Sequence, residues 1–504
     1  MDATAIRRHA ALALTAAVLT ACGGGGGSSS SSSSAGVDAI VPSASVAGLC
    51  AKPRQGLDPA TGSPYADQPG TLDDEKRWLR AWIDEAYLWW DEVPTGLKAA
   101  DFATSIAYFD ALKTPLKTAS GRPKDRFHYS VDTAQYQRET DGAPVLGYGM
   151  EIALLRSSPP RDARIAYVVP GTPAAQAGLA RGDKLLVVDG VDVASGPATP
   201  INAALSPSRA DETHAFTIGR ADGSVLSMTL GAASIAIPPV MNTKTLASAS
   251  GPVGYLQFND HSETAEAQLI AAIQQLQAAG IQDLVLDMRY NGGGLLGIAS
   301  ELAYMVAGRA ATQGKTFERL LSNGKNPFAL SVSQANVPFH ATAQGYSVPA
   351  GQALPQLGLA RMTVLSGPDT CSASESVING LRGVGVAVQL VGGTTCGKPY
   401  AFTPRDNCGT TYFAINYQGV NDLGQGDYGD GFAPACAVAD DFDHALGDPA
   451  EARLAAALAL RAGGSCPTAT ASAQKAGVAG AGEEAPYLRR APSRENKIVD
   501  RPAP

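Results

Sequence analysis

The sequence predicts an α/β protein of several domains: a helical N-terminal segment, a β-rich module and an alternating α/β core. Three observations predict this order. Apolar residues recur at helical spacing after residue 71, short alternating strands with glycine turns fill residues 145–236, and strands alternate with amphipathic helices over 252–465. A chain of 504 residues is long enough for two or three such domains, each with its own core.

The composition excludes some classes of function. A net charge of −8 argues against nucleic acid as the main partner. The six histidines include no pair at i, i+4 spacing, and the chain has no Cys-x-x-Cys motif, so the sequence predicts neither a metal site nor a cofactor.

The N-terminus reads as a targeting segment. Arg7–His9 is basic, and Ala10–Ala21 is an apolar run of 12 residues, too short to span a bilayer. The run ends in Leu-Thr-Ala followed by Cys22, which resembles a bacterial lipobox. That resemblance implies that residues 1–22 are a lipoprotein signal, with Cys22 lipidated as the first mature residue. The alternative is a plain secretory signal with a chance cysteine.

The residues after Cys22 support the lipoprotein interpretation. Residues 23–34 contain only Gly and Ser, and the whole of 23–69 is predicted to be a tether and linker. Gly23, rather than Asp, follows the cysteine, and resemblance to Gram-negative sorting rules points to the outer membrane, facing the periplasm.

Six cysteines remain after export to an oxidising compartment. An even number in an exported chain predicts disulfides, and six cysteines allow 15 connectivities. We expect the pairs Cys371–Cys396, Cys408–Cys436 and Cys50–Cys466.

The helical segment is predicted over residues 70–140. Thr71–Asp74 has a capping-box pattern, and a periodic apolar face follows. All four tryptophans lie on this face, which favours a packed helix core over an aromatic ligand platform; its members are Trp78, Leu79, Trp82, Ile83, Ala86, Trp89 and Trp90.

The β-rich module over 145–236 resembles a PDZ domain. The resemblance rests on Pro170–Leu179, on Arg181–Gly190, and on the loop Gly147, Tyr148, Gly149 and Met150. It implies that this loop binds the C-terminal carboxylate of a peptide through backbone N–H groups, while the peptide adds as a β-strand. A generic small β-domain is the alternative.

The most informative stretch is Cys371–Glu375. An apolar strand, Met362–Leu365, and a short loop precede it, and a helix follows, so Ser372 is placed at a helix N-terminus. Free backbone N–H groups and the helix dipole can stabilise an oxyanion there. The alternative is that Ser372 only caps the helix.

Two further segments add chemistry to this serine. The strand Leu284–Asp287 leads into Asn291–Gly294, whose triple glycine exposes backbone N–H groups and permits close approach of a carbonyl. Lys398 precedes an apolar run and can act as a base if it is desolvated. Without the serine and the glycine turn, the simpler interpretation of Lys398 would be an exposed loop lysine.

In this order, the glycine turn, serine and lysine resemble the C-terminal-processing (tail-specific) serine protease family over about residues 70–465. The resemblance implies a catalytic domain over 240–466 with an α/β protease core of the crotonase/Clp-like ββα type. It also implies Ser372 as nucleophile, Lys398 as general base, and Gly294 and Ala373 as oxyanion donors. Glu375, in the first helical turn, reads as structural.

One departure concerns the base. Many family members carry a glutamine four residues after the lysine, where this chain has Phe402. Tyr400, Gln257 or a Cys371–Cys396 bridge are candidates for holding Lys398 instead. A histidine-based variant of the wider family would place its histidine at Gln257, and His261 nearby is an alternative base.

The predicted function is therefore a membrane-tethered periplasmic serine endopeptidase that acts on proteins or peptides with exposed C-termini. The main alternative is a catalytically inactive PDZ lipoprotein that binds peptides. Another is a different α/β hydrolase or an acyl-CoA-type enzyme that reuses the glycine turn. Residues 467–504 are predicted to be a disordered tail.

Overall fold

The computed structural model describes residues 40–59, 61–140, 144–156, 158–248, 251–467 and 497–498. The predicted signal segment with Cys22, the first part of the tether and most of the predicted tail lie outside these residues. Within the described ranges, no helix is both long and apolar enough to cross a bilayer.

The N-terminal segment forms around one amphipathic helix. Its first residue follows Thr71, whose side chain accepts from the Asp74 N–H in a complete capping box. Trp78 and Trp82 are buried and stack with ring centroids 5.4 Å apart, which confirms a packed core for these two. Trp89 and Trp90 lie beyond the end of the helix, and Trp90 is exposed, so the predicted face was too long. The elements are β1 (Leu49–Cys50), β2 (Gln68–Pro69), α1 (Leu72–Ala86), α2 (Ser105–Ala111), β3 (Tyr129–Asp132) and α3 (Thr133–Thr140).

The described part of the predicted linker is folded, which differs from the expectation. β1 pairs in parallel with β2, Val46 is buried in the core of the helical segment, and Cys50 is disulfide-bonded to Cys408. A covalent partner 358 residues away leaves no local signal in composition, so the sequence pattern could not distinguish this stretch from a tether.

The β-rich module covers the predicted range. Its main sheet has the order β10-β9-β7-β6-β5, with β8 paired to β7, so β5 is an edge strand. Its elements are β4 (Val145–Gly147), β5 (Met150–Arg156), β6 (Asp162–Val168), α4 (Pro173–Gln176), β7 (Lys184–Val188), β8 (Val191–Asp192), α5 (Ala198–Leu205), β9 (Thr213–Gly219), β10 (Val225–Gly231) and β11 (Ala233–Ile235).

The α/β core begins with strands and helices that alternate as predicted. They are β12 (Val240–Leu246), β13 (Val253–Phe258), α6 (Ala265–Ala278), β14 (Asp283–Asp287), β15 (Gly294–Leu295), α7 (Leu296–Thr312), β16 (Thr316–Ser322), α8 (Val332–Ala335), β17 (Asn336–Pro338), β18 (Arg361–Ser366), α9 (Ala373–Gly383) and β19 (Ala387–Gly392).

Short strands and one helix complete the core. They are β20 (Tyr400–Ala401), β21 (Arg405–Asn407), β22 (Thr410–Phe413), β23 (Tyr417–Val420), β24 (Cys436–Ala437) and α10 (Ala452–Arg461), with β25 (Lys497–Ile498) described separately near the end of the chain. The central sheet has the order β12-β13-β14-β18-β19-β24, parallel except for β12.

Both faces of the central sheet are buried, which explains why its strands are continuously apolar. Leu284 and Leu286 point to the side of α6, α7 and α9, whereas Val285 packs on the other side with α10. The carboxyl ends of β14 and β18 therefore lie side by side, and the loops that follow them meet at one edge.

The helical N-terminal segment shares a hydrophobic cluster with the α/β core. β3 pairs with β22 in the three-stranded sheet β21-β22-β3. Phe109 and Phe127 of the segment pack in one cluster with Cys371 and Phe402. Residues far apart in the chain thus form one hydrophobic unit beside the predicted serine and lysine.

The disulfides confirm one predicted pair and correct two. Cys371–Cys396 is present, with Cα atoms 5.1 Å apart. The expected pairs Cys408–Cys436 and Cys50–Cys466 are wrong: the structure joins Cys50 to Cys408 and Cys436 to Cys466. The partner of each cysteine depends on which elements adjoin in space, as β1 and the β21–β22 turn do, and sequence spacing does not encode that proximity.

Candidate active site

Ser372 lies between β18 and α9 in a backbone conformation that is unusual for serine. Its φ is 60° and its ψ is −114°, outside the φ/ψ regions that residues other than glycine favour. The residue is fully buried, yet its hydroxyl has no hydrogen-bond partner among the described residues. Ser372 and Glu375 occupy the capping-box positions of α9, but the Ser372 hydroxyl makes no cap hydrogen bond of its own, so a strained backbone presents an unengaged hydroxyl.

The glycine turn after β14 is fastened to the serine loop. The Asn291 carbonyl accepts from the Cys371 N–H at 3.1 Å and from the Ser374 hydroxyl at 3.0 Å. The Asn291 side-chain oxygen accepts from the Gly293 N–H at 2.9 Å, which fixes the turn from within. The two loops that follow neighbouring strands are thus held as one surface.

The two predicted oxyanion donors belong to this surface. Gly294 has a φ of 137°, and a Cβ there would lie 2.6 Å from the His261 carbonyl oxygen, so only glycine fits. The Leu295 N–H donates to that same oxygen at 2.9 Å, which holds Gly294 in place. Ala373 is the first residue of α9, where backbone N–H groups lack intrahelical acceptors.

The Glu375 carboxylate joins the serine loop to the lysine loop. Its Oε2 accepts from the Ser372 N–H at 3.0 Å and from the Lys398 N–H at 2.8 Å. The two amide nitrogens therefore lie within about 6 Å of each other. Oε1 accepts from the Gly397 N–H at 2.8 Å and from the Thr395 hydroxyl. The structural role expected for Glu375 thus extends to both predicted catalytic residues.

The environment of Glu375 is a balance of opposing effects. Complete burial raises the pKa of its carboxyl above the usual value, although the Thr395, Lys398, Gly397 and Ser372 donors all favour the anion. The Cys371–Cys396 disulfide runs beside this carboxylate, and the Cys396 N–H donates to the Thr370 carbonyl at 3.0 Å. One covalent and several polar links therefore cross between the same two loops.

Lys398 is held against aromatic rings. Its side chain is fully buried, with Nζ 4.1 Å from the ring centroid of Phe402 and 4.9 Å from that of Phe127. The exposed-loop alternative is contradicted. Phe402, in the place of the family glutamine, contacts the amine with its ring face.

Of the other candidates for holding Lys398, the Cys371–Cys396 disulfide fixes its loop, as described, whereas Gln257 and Tyr400 make contacts with other residues. Gln257 is engaged elsewhere: its amide accepts from Asn242 at 2.7 Å and donates to Asn259 at 2.9 Å. The Tyr400 ring packs edge-on against Trp89, with centroids 4.8 Å apart.

Arg126 is a site residue that sequence reasoning missed. It comes from the helical N-terminal segment, and its Nη2 donates to the carbonyls of Cys396 and, at 3.2 Å, of Gly397. Burial lowers the pKa of its guanidinium to about 10. Arg126 and Phe127 are adjacent in sequence and both contact the lysine loop. The only available signal was an arginine next to an aromatic residue, which is too common to predict a site.

His261 lies beside the glycine turn and is fully buried. Its Nδ1 is 3.0 Å from the Asn291 side-chain oxygen, whereas its Nε2 has no hydrogen-bond partner in the described part of the chain. Burial lowers the pKa of His261 to about 3, so the ring is neutral at physiological pH. A base with so low a pKa is a poor proton acceptor for a serine hydroxyl.

The β-rich module contacts the catalytic region through buried charges. Arg181 Nη2 and Arg289 Nη1 each donate to Asp440 Oδ1 at 2.7 Å, and Tyr290 donates to the other oxygen. Burial opposes ionisation of Asp440, but the charges of Arg453, Arg289 and Arg181 outweigh it and hold its pKa well below the usual range. Tyr290 immediately precedes Asn291, so this network connects the module to the glycine turn.

Comparisons with family models now assign the chain. Residues 252–415 match peptidase family S41, residues 164–218 match a PDZ domain, and residues 74–131 match the S41 N-terminal domain. Residues 252–415 thus form a peptidase family S41 domain. The chain is accordingly a serine-type peptidase, with the catalytic, PDZ and N-terminal modules that the family architecture combines.

Curated relatives agree with this S41 assignment. A carboxyl-terminal-processing protease of Picosynechococcus is 26% identical over 346 residues, which cover 65% of this chain and 73% of the relative. A chloroplastic C-terminal processing peptidase of Tetradesmus obliquus is 27% identical over 258 residues, 46% of this chain and 53% of the relative. The chain thus matches about half the length of the latter.

A solved structure supports the S41 fold. A Bacteroides fragilis protein assigned to the S41 proteases superposes with a TM-score of 0.59 at 23% identity, and the match covers 77% of this chain and 97% of that one.

Proposed function

We propose that this S41 peptidase cleaves proteins or peptides with a Ser372–Lys398 dyad. The observation that carries the proposal is the buried Glu375 carboxylate, which binds the backbone N–H groups of both residues through one oxygen. Ser372 has an unengaged hydroxyl, and the Lys398 amine is fully buried beside two aromatic rings, in the apolar surroundings that a lysine base requires.

The proposed mechanism assigns a role to each of these groups. The Ser372 hydroxyl attacks the scissile carbonyl while Lys398 takes its proton. Backbone N–H groups of Gly294 and Ala373 stabilise the tetrahedral oxyanion. Lys398 then gives its proton to the leaving amine, and the acyl-enzyme is hydrolysed by a water that Lys398 activates. The Phe402 and Phe127 rings keep bulk water away from the amine.

Active-site labelling and pH dependence test the dyad. We expect a fluorophosphonate probe to label the protein at Ser372, and Ser372→Ala to lose both labelling and peptidase activity. Lys398→Ala should lower kcat about 10²–10⁴-fold and remove the acid limb of the kcat/KM profile. His261→Gln is the matched control; the acid limb should persist there, because His261 titrates at about pH 3.

Other results would select the alternatives. An acid limb that survives in Lys398→Ala but disappears in His261→Gln would make His261 the base. A wild-type protein that binds peptides but neither labels nor cleaves would be a silent peptide-binding lipoprotein. Cleavage of acyl-CoA without cleavage of peptides would indicate the acyl-transfer chemistry.

Phe402→Leu tests how Lys398 is held. Leucine keeps the site apolar but removes the ring face, which favours the protonated amine by about 2 kcal/mol at a desolvated site. We expect the acid limb of kcat/KM to move to lower pH by about 1.5 units. Phe413→Leu, in the same aromatic cluster but not over the amine, is the control and should leave the limb in place. An unchanged limb in Phe402→Leu would refute this role.

We also propose that the PDZ module captures peptide C-termini. Two features support this: β5 is an edge strand open to strand addition, and the loop Gly147–Met150 immediately precedes it. The loop is tightly fitted, since a Cβ at Gly149 would overlap the Thr172 side chain.

Peptide binding to the Ser372→Ala protein tests the capture. A labelled peptide with a free C-terminal carboxylate should bind at least about 10-fold more tightly, by fluorescence anisotropy, than the same peptide with a C-terminal amide. Equal affinities would show that the loop does not recognise a carboxylate.

Finally, we propose that the protein is lipid-anchored at Cys22 in the outer membrane, facing the periplasm. Three disulfides in the described chain suit export to an oxidising compartment. In a Gram-negative host, the protein should incorporate labelled palmitate and fractionate with the outer membrane, and Cys22→Ala should lose the label. A wild-type chain without label would refute the anchor.

A further inference from the structure

A strand from near the end of the sequence pairs with the glycine turn. β25 lies parallel to β15, with Lys497 opposite Gly294 and Ile498 opposite Leu295. β15 contains the proposed oxyanion donor Gly294. Because Gly294 also forms a bridge with His261, this short strand has β25 on one edge and the His261 segment on the other.

The same segment reaches the lysine loop. Cα atoms of β25 lie within 8 Å of those of β20, which begins two residues after Lys398. The backbone at Lys497–Ile498 therefore borders both loops that carry the proposed catalytic machinery: the glycine turn through strand pairing and the lysine loop through proximity.

Strand pairing at this place is the interaction that a substrate peptide would use. A peptide attacked at its carbonyl must lie extended beside the oxyanion donors, and an exposed strand edge supplies main-chain hydrogen bonds with little regard to sequence. Once β25 occupies that edge of β15, a second strand cannot pair there. The segment and a substrate are therefore mutually exclusive at Gly294–Leu295.

Because β25 and β15 are parts of one chain, the effective concentration of β25 at β15 is high. About 30 residues separate Pro467 from Lys497, and so many residues can span far more than the width of a domain. The pairing of the two strands is therefore intramolecular, with an effective concentration on the order of 1 mM, so even weak strand pairing competes with dilute substrate.

We propose that the segment around Lys497–Ile498 is an internal competitive ligand of the active site, bound where the substrate strand binds. The inference rests on the proposed function, in which Gly294, Ser372 and Lys398 form the catalytic site. It assigns to this segment a role beyond that of a disordered tail, because the segment sets how much substrate the full chain needs.

The first test compares peptidase kinetics of the full chain with those of a chain that ends at Gly482, which keeps all three disulfides. The shorter chain should show a KM lower by about 5–20-fold with kcat unchanged, since only competition has been removed. Within the full chain, Ile498→Pro removes a strand N–H and should lower KM in the same way. Ala479→Pro, which introduces proline outside β25, should leave KM unchanged.

A second test supplies the segment separately. A synthetic peptide of residues 491–504 should inhibit the shorter chain competitively, and the same peptide with Ile498→Pro should not. Cleavage of the full chain between residues 496 and 499 that is lost in Ser372→Ala would also support binding at the catalytic strand.

The outcomes separate this inference from the proposed function. Equal KM values for the two chains, with no inhibition by the peptide, would overturn the inference while leaving the peptidase intact. A shorter chain that is folded by circular dichroism but neither labels with fluorophosphonate nor cleaves peptides would overturn the proposed function, and the inference with it.

Discussion

The buried carboxylate of Glu375 is the constraint on which the rest of the site depends. Ser372 and Lys398 are 26 residues apart and lie on loops after different strands, β18 and β19. Neither loop is fixed by the regular backbone hydrogen bonds of a helix or a sheet. One carboxylate with four well-placed donors fixes both, and those donors offset much of the cost of burying a charge. The neighbouring disulfide makes the same connection covalently.

The N-terminal helical segment completes the site from the other side. Arg126 holds the carbonyls of the lysine loop, and Phe127 covers the amine of Lys398. The segment is itself fixed by the Cys50–Cys408 disulfide and by the pairing of β3 with β22. The lysine thus lies in a pocket that two distant parts of the chain build together. Apolar walls and a fixed loop are what the lysine base proposed above needs, and at Lys398 they come from packing rather than from an orienting amide.

Strand edges recur at the two places where peptides are proposed to bind. β5 ends the sheet of the PDZ module, and β15 carries the proposed oxyanion donor. Between them, Arg181, Asp440 and Arg289 form a buried network that ends at the residue before the glycine turn. Charges this deeply buried tolerate little displacement, because separating them leaves an unpaired charge. The module and the turn are therefore held in one fixed relation.

The sequence by itself determined the local features. Strand and helix periods predicted the fold class, glycine and turn residues placed the β-rich module at residues 145–236, and the order of glycine turn, Ser372 and Lys398 indicated the chemistry. The periods and turns are local signals, because side-chain periodicity and backbone freedom depend on near neighbours. The order of the three segments indicated the chemistry through resemblance to a known protease family. Only the tertiary structure decided the partners of Cys50 and Cys436, the aromatic contacts of Lys398, the part played by Arg126, and the pairing of Lys497 with Gly294. Each of these joins residues far apart in the chain, and such contacts arise from the packing of whole elements, which no short stretch of sequence encodes.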